Sequence, residues 1–142
     1  MTDGGPVGLA VLDKPAGWTS HDVVARCRKL LGTRKVGHAG TLDPDATGVL
    51  LVGVGRATRL LRFLTALEKS YEAEIVFGVE TDTLDAADQV TATHDMTLDP
   101  DSVATAAERF VGSIQQVPPM VSAVRVDGRR LHELAREGQE VE

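Results

Sequence analysis

The stretch HAGTLDPDATGVLLVGVG, residues 38–55, decides how this chain folds. Its second half, GVLLVGVG at 48–55, is rich in valine and leucine and apolar at odd and even positions alike. That is the pattern of a central strand covered on both faces. Its first half sets His38, Thr41, Asp43, Asp45 and Thr47 among turn-forming residues. Asp43 precedes Pro44, and a residue before proline is pushed into extended geometry. Gly40 and Gly48 bracket the loop and admit close backbone approach. A carboxylate placed there stands at a strand entrance, where it can act as nucleophile or base. The plainer alternative is a turn aspartate that caps its own loop.

Upstream, VGLAVLDK at 7–14 reads as a short strand, and Pro15 and Gly17 make a turn. Thr19, Ser20 and Asp22 are capping residues for a helix over about 21–31. Val23, Val24, Cys27, Leu30 and Leu31 share one face of that helix, and Gly32 stops it. Downstream, ATRLLRFLTAL at 57–67 predicts an amphipathic helix with Arg59 and Arg62 outward. KSYEAEIVFGV at 69–79 alternates polar and apolar residues, the mark of a half-exposed strand. ETDTLDAADQVTATHD is acidic and weakly patterned. It reads as a mobile insertion over about 80–95 with a short strand near Gln89–Thr93. Asp99 and Pro100 open a helix to about Val111. SIQQVPPMVSAVRVDG gives a strand, a break at Pro118–Pro119, a second strand and a hairpin turn at Asp127–Gly128. RRLHELAREG is a last helix ended by Gly138. The predicted class is α+β, with a mixed, largely antiparallel sheet flanked by helices.

A chain of 142 residues suits one domain with one core. No apolar run is long enough to span a bilayer, and MTDGGPVGLAVLDK lacks the features of a secretory signal. Cys27 is the single cysteine, so no internal disulfide framework is available. A cytoplasmic monomer is expected. The net charge of −6 argues against a polyanionic partner until its distribution is considered. Residues 1–69 hold ten Lys and Arg against six Asp and Glu, and residues 70–142 hold five against fifteen. Binding to a polyanion depends on the local field of a patch, so the basic half keeps nucleic acid in play. Its cations are otherwise ordinary solvated helix faces.

Other chemistries fit less well. GVGRAT lacks the lysine and spacing of a phosphate loop. His38, Asp43 and Asp45 do not form a metal-ligand pattern. Ser20, His21 and Asp22 are consecutive, so they cannot face one another as a triad.

GHAGTLDPDATGVLLVGVGRATRL resembles the signature of the TruB family of tRNA pseudouridine synthases. LDKPAGWTSHDVV is similar to that family's lysine-proline motif and KSYEAEIVFGVETDTLDA to its tyrosine motif. VPPMVSAVRVDGRRLHELAREGQEVE is similar to its later proline-proline segment. The resemblance implies an isomerase that converts uridine 55 in the tRNA T loop to pseudouridine, without cofactor or metal. It implies that Asp43 is the catalytic aspartate, with a covalent route at C1′ or C6 and a glycal route both open. By the same resemblance Tyr71 stacks on the target base and His38 helps fill the space left by the everted nucleotide. Gly40 and Thr41 fall beside the substrate; Lys14 falls near the active site too, with the alternative that Lys14-Pro15 only shapes the loop that supports Asp43. Arg26, Arg34, Lys35, Arg56 and Arg59 are candidate contacts to phosphates of the T-arm stem-loop.

Three departures from the family pattern stand out. Asp88 occupies a usual glycine position and Val121 a common aromatic one. The family also continues past the position of Glu142, with further strands, an arginine that pairs with the aspartate, and a C-terminal RNA-binding domain. The expectation is a partial catalytic domain over 1–142, incomplete at its C-terminal end. The alternative function is a tRNA-binding or tRNA-folding module without catalysis.

Overall fold

The computed structural model describes residues 5–82, 85–86, 89–117, 125–126, 128–130 and 137. The chain divides into two compact units, Met1–Tyr71 and Glu72–Glu142. The division falls beside the charge boundary in the sequence, so the first unit carries the basic excess and the second the acidic one.

The first unit is built on an antiparallel three-stranded sheet of β1 (Gly8–Lys14), β2 (Val36–Ala39) and β3 (Gly48–Val54). Its order is β1-β3-β2, which puts the valine-rich strand in the centre as the sequence predicts. Lys14 faces Gly48 at one end of the β1–β3 ladder and Gly8 faces Val54 at the other. His38 pairs with Val52 across the β2–β3 ladder. Helix α1 (Ser20–Leu31) lies between β1 and β2 in the chain. Its N-cap, Thr19, forms a capping box with Asp22, which satisfies two donors that the first turn otherwise leaves unpaired. It ends at Gly32 with φ 61°, a left-handed cap that glycine adopts without penalty.

Val23, Val24, Val36, Leu50, Val52 and Val54 form the core, with Ala10, Leu12 and Cys27 packed on it. Complete burial of each such valine or leucine stabilises the fold by about 1.5–3 kcal/mol. The opposite face of the sheet is covered only in part: Leu61 packs over Gly37 and Gly53, and Gly53 and Ala39 are buried there, so the two-sided burial that the apolar strand predicts holds toward the Val54 end of β3. Leu9, Val11 and Val49 lie on that same face and are exposed.

The helix expected over 57–67 is shorter. A 3-10 turn, Gly55–Leu60, leads into a single α turn, α2 (Leu61–Leu64). The Thr58 hydroxyl donates to the Gly55 carbonyl three residues back, which suits the tighter winding. Arg59 and Arg62 are exposed, as the amphipathic pattern requires. Gly55 itself has φ 61°, and a Cβ there would meet the Pro6 carbonyl oxygen at 2.7 Å. Gly55→Ala is therefore expected to lower stability by about 2 kcal/mol, from the left-handed backbone and the clash together. Denaturant unfolding of the variant against the parent checks this.

In the second unit, β4 (Val79–Thr81) pairs antiparallel with β5 (Val90–Thr93), at the place expected for a short strand. The His94 imidazole meets the Glu80 carboxylate at 2.7 Å across this ribbon. Helix α3 (Pro100–Glu108) starts where Asp99 and Pro100 predict, with the Asp99 carboxylate accepting from the Ser102 N–H. It stops three residues before Val111. Strands β6 (Arg125–Val126) and β7 (Arg129–Arg130) form the expected hairpin, with Gly128 at φ 84°.

Three further expectations are corrected. The strand over 69–79 is irregular through Val76, with a turn at Phe77–Gly78, and only Val79 onward is strand. An alternating pattern becomes a strand only when a neighbour completes its hydrogen bonds. Among the described residues no strand pairs with 69–76, and Tyr71, Ile75 and Val76 are exposed. Residues 114–117 are likewise not strand. Arg129 and Arg130, expected to start the last helix, are instead the returning arm of the hairpin. Apart from Glu137, which lies in a turn, the rest of that helix, the Pro118–Pro119 break, Asp88 and Val121 lie outside the described residues. No helix among the described residues is long and apolar enough to cross a membrane.

Candidate active site and basic surface

The loop between β2 and β3 carries Asp43, and the sequence around it explains how it is held. Lys14, the last residue of β1, is fully buried. Its Nζ donates to the carbonyl oxygens of Pro15 at 3.0 Å, Trp18 at 2.6 Å and Pro44 at 2.8 Å. An ammonium has three N–H donors, so every donor is used on backbone. The Pro44 carbonyl also accepts from the Gly17 N–H at 2.9 Å. One residue after Asp43, the backbone is thus pinned from two sides.

A second anchor precedes Asp43. Ser20, at the first position of α1, is buried. Its Oγ accepts from the Leu42 N–H at 3.0 Å and donates to the Leu42 carbonyl at 3.3 Å. The residues on either side of Asp43, Leu42 and Pro44, are thus fixed through their backbone by residues of β1, the 15–18 turn and α1. Residues 43–46 then close a turn, with the Ala46 N–H donating to the Asp43 carbonyl at 3.2 Å.

The Asp43 side chain is treated differently. It is exposed, and among the described residues its carboxylate has no hydrogen bond, ion pair or cap partner. The turn-cap reading of Asp43 needs such a bond, and the described residues supply none. A rigid backbone with an uncommitted carboxylate is what a reacting group requires, because its geometry is set before substrate arrives.

The other candidates are distributed around this loop. His38 is half-buried at the end of β2, and its Nδ1 lies 2.5 Å from the Gly40 carbonyl oxygen. Its ring meets His21 edge-on, with centroids 5.2 Å apart and planes at 84°, a favoured aromatic geometry. Gly40 has φ 88°, and Lys69 Cε lies 3.6 Å from where its Cβ would stand. Thr41 is exposed, with no side-chain bond among the described residues. Tyr71 is 71% exposed at the end of the unit, with no hydrogen bond or ring contact to the Asp43 loop. Arg26, Arg34, Lys35, Arg56 and Arg59 are exposed and have no side-chain partner among the described residues. Arg28 differs, because it donates to the Val36 carbonyl at 2.9 Å and ties α1 to β2.

Sequence reasoning missed Ser20 and Gly17 as anchors, and His21 as a ring partner. Their acceptors lie more than twenty residues away for Ser20 and Gly17, so no local pattern announces them. Ser20→Ala leaves the Leu42 amide without its bond, and we expect a loss of about 1–3 kcal/mol. Thermal unfolding of the full-length protein measures it.

The cap of α1 responds to pH in a defined direction. The Thr19 hydroxyl, and after it the Thr19 backbone N–H, hold the Asp22 carboxyl below its ordinary value. A lowered carboxyl pKa stabilises the fold above the ordinary value and loses that effect as pH falls through the lowered one. Corrected amide-exchange protection in the first turn of α1 is therefore expected to hold down to about pH 4 and fall below it. D22N removes the dependence; an identical fall in D22N would contradict the assignment.

Residues 28–142 match the model of the TruB family pseudouridylate synthase N-terminal domain. The chain belongs to the TruB family of pseudouridine synthases. It is 57% identical over 136 residues to tRNA pseudouridine synthase B of Mycobacterium sp. (strain KMS), covering 95% of this chain and 46% of that protein. It is equally similar to the enzyme of the same name from Rhodococcus jostii (strain RHA1), covering 95% and 45%. The chain thus spans slightly less than half the length of these relatives. A solved H/ACA ribonucleoprotein bound to a substrate RNA containing 2′-deoxyuridine matches with 53% identity over 40% of this chain and 18% of that one, at a TM-score of 0.39. Within the TruB family match, the α+β class and antiparallel sheet stand as expected.

Proposed function

We propose that the full-length protein isomerises the T-loop uridine at position 55 of tRNA to pseudouridine, with Asp43 as the reacting carboxylate. The observation that carries this reading is the Asp43 carboxylate itself: exposed, without a partner among the described residues, and mounted on a backbone pinned at Leu42 and Pro44. Names of the relatives supply the substrate class.

The reaction is balanced without oxidant or reductant. The N1–C1′ bond breaks and the C5–C1′ bond forms. The hydrogen of C5 is lost and N1 gains one. Asp43 assists by adding covalently to C1′ or C6, or by helping a glycal form. A base inside a folded loop must leave its stack before its sugar can react, at a cost of a few kcal/mol. Tyr71 offers the everted base an aromatic face and His38 fills the vacated space, which offsets part of that cost. The exposed cations of the basic unit position the RNA through its phosphates. Lys14 acts in this scheme by holding the loop.

The test is a T-arm stem-loop RNA incubated with the full-length protein and read for pseudouridine by position-resolved chemical labelling. Conversion at a single T-loop uridine supports the reading. Tight binding without conversion favours a tRNA-folding role, and conversion elsewhere in the RNA overturns the assigned position.

A further inference from the structure

A hollow of about 430 Å³ opens on the outer side of α1, lined by Gly17, Trp18, Asp22, Ala25, Arg26 and Lys29. Of its lining, only Arg26 enters the reading above, as a candidate phosphate contact, and the hollow itself has no role there. We propose that it is a subsite for one unstacked nucleotide of the RNA, next to the reacting uridine, with the base on the Trp18 indole and its phosphate on Arg26 and Lys29. This rests on the proposed function for the identity of the RNA, and on separate geometry for the site.

Four features support the assignment. Asp22, Ala25 or Arg26, and Lys29 recur at helical spacing, so one face of α1 presents two cations over a small alanine floor. Arg26 and Lys29 are exposed and have no partner among the described residues, so they are free to meet an anion. Asp22, the one acidic group of the lining, is occupied: its Oδ2 accepts from the Thr19 hydroxyl at 2.6 Å and the Thr19 N–H at 2.8 Å. Trp18, the single tryptophan of the chain, is 41% exposed. An aromatic ring beside unpaired cations is the combination that holds single-stranded nucleic acid, through stacking on any base and charge on the backbone.

The position of the hollow relative to Asp43 decides its role. The Trp18 and Pro44 carbonyls both accept from Lys14 Nζ, at 2.6 and 2.8 Å. Gly17, in the wall of the hollow, bonds directly to Pro44. The hollow and the reactive loop therefore share a framework, and a strand that brings a uridine to Asp43 can lay a neighbouring nucleotide against Trp18.

Binding is measured with the full-length D43N protein, so that turnover cannot alter the RNA. W18L is expected to weaken T-arm stem-loop binding about tenfold, and Trp18→Phe, which keeps an aromatic face, to restore most of it. R26Q/K29Q is expected to reduce the slope of log affinity against log salt by about 0.7, the contribution of the one single-strand phosphate that the two side chains share. Abasic substitution along the loop is expected to find one nucleotide whose removal weakens the parent but not W18L further, the signature of a coupled pair. Parental affinity and salt slope in both variants, with α1 shown folded by circular dichroism, overturn the subsite. So does purely additive loss in the abasic series. Retained turnover in D43N would instead sink the proposed reaction and leave the subsite to be judged by binding alone.

Discussion

Asp43→Asn is expected to reduce pseudouridine formation by about a thousandfold or more while leaving RNA affinity within about threefold of the parent. A thousandfold corresponds to about 4 kcal/mol of barrier. The substitution replaces one carboxylate oxygen by an NH2 group, with almost no change in volume. It removes the charge and the nucleophilicity and little else. The folded structure should tolerate it, because the Asp43 side chain is exposed and holds no partner among the described residues. Single-turnover kinetics on the T-arm stem-loop, with binding measured on the same RNA, separates the two effects. Parallel loss of affinity and rate would mean that Asp43 builds the loop and does not react. An unchanged rate would place the chemistry on another residue.

Lys14→Met produces the largest structural effect, with an expected loss of about 3 kcal/mol or more. Methionine approximates the length of the chain but donates nothing. Three carbonyls, of Pro15, Trp18 and Pro44, lose a fully buried donor. A buried acceptor left unpaired costs about 1–3 kcal/mol; these three carbonyls belong to exposed residues and are only partly shielded, and the Pro44 oxygen keeps its bond to Gly17, so the loss is expected from the three together. Lys14→Arg does not repair the site, because a planar guanidinium cannot place three donors where a compact ammonium did. The Asp43 loop is expected to loosen as a consequence. The rate of isomerisation should fall in the folded fraction of the variant, while RNA affinity changes little. Thermal unfolding and single-turnover rates at a temperature where the variant is folded test both parts. A Lys14→Met protein with parental stability would show that these bonds contribute nothing net.

The legible parts of this molecule are those governed by short-range rules. Thr19, Asp22 and Gly32 mark the ends of α1, and both ends lie where the caps predict. Asp99 and Pro100 do the same for α3. The valine run at 48–54 announces the central strand. The Asp43 loop was legible in kind, since glycines and a proline bracket a carboxylate. What holds the loop was legible only in part: the Lys14-Pro15 pair suggests a support, but its partner Pro44 lies thirty positions away, and nothing local announces that Ser20 reaches Leu42 across twenty-two. The 69–79 segment misled for a related reason. Its alternation is real, but a strand also needs a partner, and partners are a property of the assembled sheet. Tyr71, carried on that segment, therefore has a role given by family likeness and not by a described contact.

The most direct test is a crystal structure of the full-length D43N protein with a T-arm stem-loop that keeps its reactive uridine. The account predicts a uridine turned out of the loop stack, with the residue-43 carboxamide about 3–3.5 Å from C1′ or C6, the separation of a near-attack arrangement. A uridine still stacked within the loop, or a residue-43 side chain folded back onto its own turn, would contradict it.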